Sequence, residues 1–230
     1  MRRSALLSLS LAALAFAPVL AAQDTRPGIA VLPFENGGSY GQDKENFDAL
    51  QKGIPGILIG ELSQNPAARV VDRDQIQSLL HEQDLGKDGR VDAATAAKIG
   101  KLVGARYMIT GTFVDLYGTF RTDARIIDVE TGEIIKTVKA DGKREDLYKQ
   151  IQSIAQKLMT ETKLPPLPTQ VGEAAKTRNV PTEALTYYSR ALLYQDRGDT
   201  TKAKEFFKKA TDVFPDFAEA QAGLKKLNGT

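Results

Sequence analysis

The sequence predicts an α/β (α+β) domain, a mixed sheet with helices packed on it, followed by a small all-α helical hairpin. Three observations carry this. The apolar run Ile29 to Phe34 is followed, past a polar loop, by apolar residues at helical spacing. Between Tyr107 and Ala140, three segments alternate β-branched or aromatic residues with polar ones. Beyond Leu164 the periodicity lapses over a proline-containing stretch and resumes with a helical period from Thr182.

The chain has 230 residues with Cys 0, Trp 0 and His 1, a composition that suits one or two ordinary domains. Its first residues, 1–22, are expected to be a signal peptide. Arg2 and Arg3 precede an apolar run from Ala5 to Leu20, and small residues at Ala21 and Ala22 suit cleavage. Ser8, Ser10 and Pro18 interrupt the run, which is shorter than the roughly 20 apolar residues that span a bilayer, so no integral membrane segment is expected after cleavage. Losing Arg2 and Arg3 from the 31 basic residues leaves 29 against 29 acidic ones. A neutral mature chain gives no electrostatic case for a nucleic-acid partner. Without cysteine there is neither a disulfide framework nor a lipid-accepting thiol, so the expectation is a periplasmic protein that is not a lipoprotein, peripheral at the outer membrane if associated with it at all.

The first domain is expected over 23–163. "IAVLPF" reads as a buried strand ending in the loop "ENGG". Phe47, Leu50, Ile54, Ile57, Leu58 and Leu62 then define one face of a helix that contains Pro55, and the periodicity running past Pro55 favours a kink over a late start. A short strand, Arg69 to Val71, leads into a helix capped by Asp72 or Asp74, with Ile76, Leu79 and Leu80 facing inward. Asp92 caps a further helix carrying Ala96, Ile99 and Val103, and Gly104 ends it.

Three strands follow, Tyr107 to Asp115, Phe120 to Val129 and Glu133 to Ala140, joined at "YGT" and "ETGE" into an antiparallel meander. Arg121, Asp123, Arg125 and Lys136 are assigned to a wet face; Phe120, Ile126, Ile134 and Val138 are assigned to a dry one. A helix over Glu145 to Thr162, with Leu147, Ile151, Ile154 and Leu158, covers the dry face.

In this order, "IAVLPF", "VVDRDQIQSLLHEQ", "AAKIGKLVGARYMITGTF" and "ARIIDVETGEII" resemble the periplasmic α/β domain of the curli-secretion CsgG-type proteins. The stretch is also similar to FlgO-type proteins and, more remotely, to the amino-terminal domain of TolB and to LpoB-type activators. The resemblance covers about Gly28 to Lys163. It implies a lipid-anchored, ring-forming protein that places hairpins in the outer membrane. This chain departs from that pattern: it lacks the anchoring cysteine, and Asp115, Arg121, Asp123 and Arg125 interrupt the 9–11-residue lipid-facing alternation of a barrel strand.

Residues 164–181, with their prolines, are expected to be an extended, semi-rigid linker. Residues 182–230 resemble a single tetratricopeptide repeat with a capping helix. Tyr187, Ala191, Tyr194, Gly198, Ala203, Phe207, Ala210 and Pro215 stand at the repeat's packing positions, whereas Arg190 occupies one that is ordinarily apolar. A lone unit buries too little, so it should dock on the first domain, a second copy or a partner.

The chemistry-bearing residues are few. His81, the only histidine, is placed on a polar helix face, and no cysteine accompanies it, so zinc sites and histidine triads lack parts. Asp84, Asp88 and Asp92 lack the alternation and closing glutamate of a helix-loop-helix calcium site. Gly53, Gly56 and Gly60 are not followed by the Gly-Lys-Ser/Thr of a phosphate loop. Glu35, at a strand's carboxyl end, has no catalytic partner in the sequence. No cofactor, metal or catalytic residue is expected. The expected function is non-enzymatic protein–protein interaction in cell-envelope assembly or secretion, with an envelope protein or peptide as partner and Tyr187, Tyr194, Phe207 and Tyr40 as contact residues. The alternative, carried by the curli resemblance, is a homo-oligomeric ring subunit at the outer membrane.

Overall fold

The computed structural model describes residues 24–39, 43–82 and 91–229. The expected signal peptide, Tyr40, Asp84 and Asp88 lie outside them. Five strands, β1 (Gly28–Asn36), β2 (Arg69–Val70), β3 (Tyr107–Leu116), β4 (Thr119–Asp128) and β5 (Ile134–Lys143), form one mixed sheet in the order β2-β1-β3-β4-β5. β1 runs parallel to β2 and β3, and β3 to β5 form the antiparallel meander.

The register of β1 on β3 slips between Val31 and Phe34. Pro33 lies in that interval, and a residue without an N–H is best placed where the ladder is already broken. The slip lands Phe34 opposite Gly111, where a Cβ would collide with the Phe34 ring. Phe113 and Phe120 stack alongside at 5.5 Å between centroids.

α1 (Lys44–Ser63) continues through Pro55, as its apolar spacing requires, and buries Phe47, Leu50, Ile54, Ile57, Leu58 and Leu62. After a 3₁₀ turn at Arg144–Asp146, α4 (Leu147–Glu161) covers the same sheet face with Leu147, Ile151, Ile154 and Leu158. On the opposite face, α2 (Arg73–Glu82) and α3 (Ala93–Leu102) enclose a second core of Ala30, Leu32, Met108, Ile127 and Val129. Asp92 caps α3 by accepting from the Thr95 N–H at 2.7 Å, and Gly104 closes the following turn at φ +63°.

Two expectations are corrected. Ile134 does not face the dry core: it is 49% exposed. A bulge between Ile126 and Ile127 pairs Lys136 with Ile126 and Ile134 with Ile127. The extra residue, Ile135, turns Ile134 to the face of its partner Ile127, beyond the cover of α2 and α3, while Lys136, two residues before Val138, shares the α1/α4 face and lies at its rim, 3.4 Å from Glu161. The second correction concerns the linker, which is not extended throughout. Thr169–Thr177 forms α5, because Pro165, Pro166 and Pro168 all precede it and Pro181 follows it, leaving the interval free of proline. Leu164, Leu167 and Val180 pack against the main core.

The C-terminal helices α6 (Thr182–Asp196), α7 (Thr200–Val213) and α8 (Ala218–Asn228) share that core, contributing Leu185, Tyr188, Leu192, Phe207 and Phe217. Their seat is α1. A Cβ at Gly53 would collide with Ser189, one at Gly56 would lie 2.5 Å from the Tyr188 hydroxyl, and one at Gly60 would collide with Glu219. Beyond the other end of the sheet, the edge carbonyls of Lys139 and Lys143 accept from Lys157 Nζ (2.5 Å) and Gln150 Nε2 (2.9 Å).

Candidate functional site

The helical hairpin brings three of its aromatics together. Tyr194 and Phe206 stack nearly parallel at 5.4 Å, and Tyr187 lies 6.2 Å from Phe206. Four cations flank these rings: Arg190 and Lys209 over Phe206, Arg197 and Lys202 over Tyr194. The Tyr194 hydroxyl donates to Glu45 at 2.6 Å, and Arg190 pairs with the other oxygen of that carboxylate at 2.5 Å. The Tyr194 hydrogen bond and the nearby Arg190 hold the Glu45 pKa below the usual range. Arg190 thus bridges α6 to α1. Of the proposed contact residues, Tyr187 and Tyr194 are half-buried, whereas Phe207 is fully buried against Tyr188 at 6.0 Å.

Further ionic ties join the same helices to the α/β layer. Asp196 is shared by Arg73 (2.5 Å) and Lys52 (3.5 Å), and Lys226 pairs with Asp74. Deeper, Glu61 of α1 accepts from the Tyr148 hydroxyl at 2.6 Å and from Gln64 at 3.1 Å, with Arg178 3.7 Å away. Arg178 makes a two-pronged pair with Glu219 of α8. Burial raises the Glu61 pKa, opposed by the Tyr148 hydrogen bond and by Arg178. One guanidinium therefore serves two carboxylates, and the cluster joins α1, α4, α8 and the segment after α5.

A second locus lies at the carboxyl ends of β1 and β3. The chain reaches β2 on one side of β1 and β3 on the other, so these ends flank the point where strand order reverses, the usual ligand position of an open α/β sheet. Asn36 orders the loop beyond β1, accepting from the Ser39 N–H at 2.7 Å and donating to the Ser39 carbonyl at 2.7 Å. A crevice of about 440 Å³ opens there, lined by Gly38, Asp43, Phe47, Asp115, Leu116, Tyr117 and Arg144. Arg144 pairs with Asp43 at 3.2 Å and with Asp115, whose side chain is 2% exposed. Asp115 also fixes the β3–β4 turn, accepting from the Gly118 N–H at 2.9 Å.

That turn has Tyr117 at φ +54° and Gly118 at φ +88°, the signs that a two-residue hairpin turn requires. Nothing in the residue-by-residue reading singled out this locus. The "YGT" signal marked a turn, but the pairing of Asp115 with Arg144 spans positions the sequence does not relate.

His81 is exposed and Asp92 is occupied as a cap, while Glu35 sits within β1 opposite Thr112. Among the described residues no cluster of His, Cys, Asp and Glu is placed to hold a metal ion. No helix among them is long and apolar enough to cross a membrane.

The family model described as "Curli production assembly/transport component CsgG" matches residues 16–122. No curated protein matches the sequence. Among solved structures, the LpoB C-terminal domain from Escherichia coli is similar at 20% identity and TM-score 0.36, over 54% of this chain and 89% of that one. TolB from Acinetobacter baumannii is similar at 14% identity and TM-score 0.36, over 70% of this chain and 31% of its own. The PelC dodecamer from Paraburkholderia phytofirmans is similar at 15% identity and TM-score 0.34, over 61% and 90% respectively. The stretch similar to the curli component thus runs through β1 and β3 and into β4.

Proposed function

We propose that this protein is a non-enzymatic component of the cell envelope, exported to the periplasm, that works by binding another protein. The observation that carries the reading is the match to the curli production assembly/transport model over residues 16–122. The side chains of that stretch described above serve packing, caps and ion pairs.

On this reading residues 182–230 are a single tetratricopeptide unit, α6 and α7 being its two helices and α8 its cap, joined to the domain 23–163 through 164–181. Tyr187 and Tyr194 carry the partner contact and Tyr40 adds one on the first domain, whereas Phe207, fully buried against Tyr188, is withdrawn from the contact set. The partner is an envelope protein or peptide.

In-cell crosslinking of the tagged full-length chain, followed by mass spectrometry, tests this. The expected result is crosslinks from the region Tyr187 to Lys209 to a different envelope protein. Crosslinks solely between copies of the first domain would replace the reading with the second one that the same match supports, a self-associating assembly subunit at the outer membrane.

A further inference from the structure

The β3–β4 turn carries a cost with no return inside the chain. Tyr117 is fully exposed and Leu116 is 58% exposed, so neither ring nor isobutyl group gains much from folding. Tyr117 also holds φ +54°, a region in which bulky residues are uncommon and where Asn or Gly would sit with less strain. The turn is nonetheless rigid, since Asp115 accepts from the Gly118 N–H at 2.9 Å and β3 and β4 pair out to Leu116 and Thr119. A strained, rigidly held, exposed aromatic beside a crevice has the form of an interface anchor.

The crevice indicates what the anchor meets. Its charged lining is two carboxylates, Asp43 and Asp115, against one guanidinium, Arg144. The Asp43 side chain is 50% exposed, and Asp115 Oδ2, although paired with Arg144, accepts no well-aligned hydrogen bond. An acidic excess beside two apolar side chains disfavours an anionic bilayer surface and favours a cation next to an apolar group.

We infer that the β3–β4 tip and its crevice are a docking site for a protein segment bearing a lysine or arginine beside an apolar residue. The cation reaches Asp43, the exposed carboxylate at the crevice mouth, while Asp115 stays beneath, buried and paired with Arg144, and the apolar neighbour packs on Leu116 and Tyr117. This rests on the proposed binding function and names the surface and the partner's chemistry.

The test places a photo-crosslinking phenylalanine at position 117 of the full-length chain in living cells. The expected product is one heteromeric adduct whose crosslinked segment contains a lysine or arginine within a few residues. Its yield should fall at least tenfold in both Leu116→Asp and Asp43→Lys backgrounds. In parallel, Tyr117→Asn in the purified protein should raise Tm by about 2–4 °C, because Asn tolerates positive φ. Adducts to a second copy or to lipid, yields indifferent to Asp43→Lys, or a lowered Tm for Tyr117→Asn would each overturn the assignment. Heteromeric adducts from the α6–α7 hairpin with none from position 117 would sink this site alone; their absence from both would sink the proposed function as well.

Discussion

At the scale of residues, Glu61 is the most consequential titratable group. Arg178 is committed to Glu219 by two hydrogen bonds, so the buried Glu61 carboxylate has Arg178 only at 3.7 Å, beside the hydrogen bonds from Tyr148 and Gln64. Its folded pKa lies above its unfolded one. The fold therefore favours the protonated form, and the stability that Glu61 contributes is present below the ordinary glutamate value of 4.5 and is lost as pH rises through the raised value. Glu61→Gln keeps an acceptor for Tyr148 and removes the charge. Thermal melts should show Tm unchanged or up by about 2–4 °C at pH 7, with a flatter pH profile above 4.5 than the parent. A larger loss at pH 7 than at pH 5 would contradict this. Arg190 illustrates the opposite case, a charge within a helix packed on the core that is accounted for by Glu45, 145 positions away.

At the scale of elements, α1 has two working faces, and one of them was legible in the sequence. The apolar spacing from Phe47 to Leu62 identified the face on the sheet. The stripe of Gly53, Gly56 and Gly60 acquires meaning solely from α6 and α8, which no local pattern reveals. Glycine to alanine in an exposed helix interior gains about 1 kcal/mol. Here the sign should reverse: Gly53→Ala meets Ser189 side chain and backbone, and we expect a loss of about 1–3 kcal/mol in denaturant titration, partly recovered in the Gly53→Ala, Ser189→Gly double variant. Additive losses would argue against a direct clash. The two misread elements have equally local causes. A bulge shifts the β5 alternation by one residue, and prolines clustered ahead of Thr169 obscured a helix that begins just after them.

At the scale of the whole molecule, the succession of strands and helices as far as α4, the β3–β5 meander and much of the sheet-facing core were readable from short-range periodicity and turn signals, whereas the lateral order that sets β1 between β2 and β3 was not. The ties between distant segments were not. Glu45 with Arg190, Asp196 with Arg73, and Asp115 with Arg144 join residues whose partners are set by packing. Since one apolar core includes Ile57 and Leu158 as well as Tyr188 and Phe217, the chain should unfold in a single calorimetric transition. A chain ending at Lys163 should melt lower and self-associate, because it exposes the glycine stripe and its flanking apolar residues. Two resolved transitions in the full chain would instead show that the helical hairpin is an independent body.

The donors from α4 that occupy the outward carbonyls of β5 have a consequence beyond local hydrogen bonding. A free sheet edge recruits any extended polypeptide that drifts against it, including other copies of itself. With Lys157 and Gln150 holding two of its acceptors, this edge offers an interrupted template. The sheet is thereby guarded, along this edge, against growing sideways into a fibre.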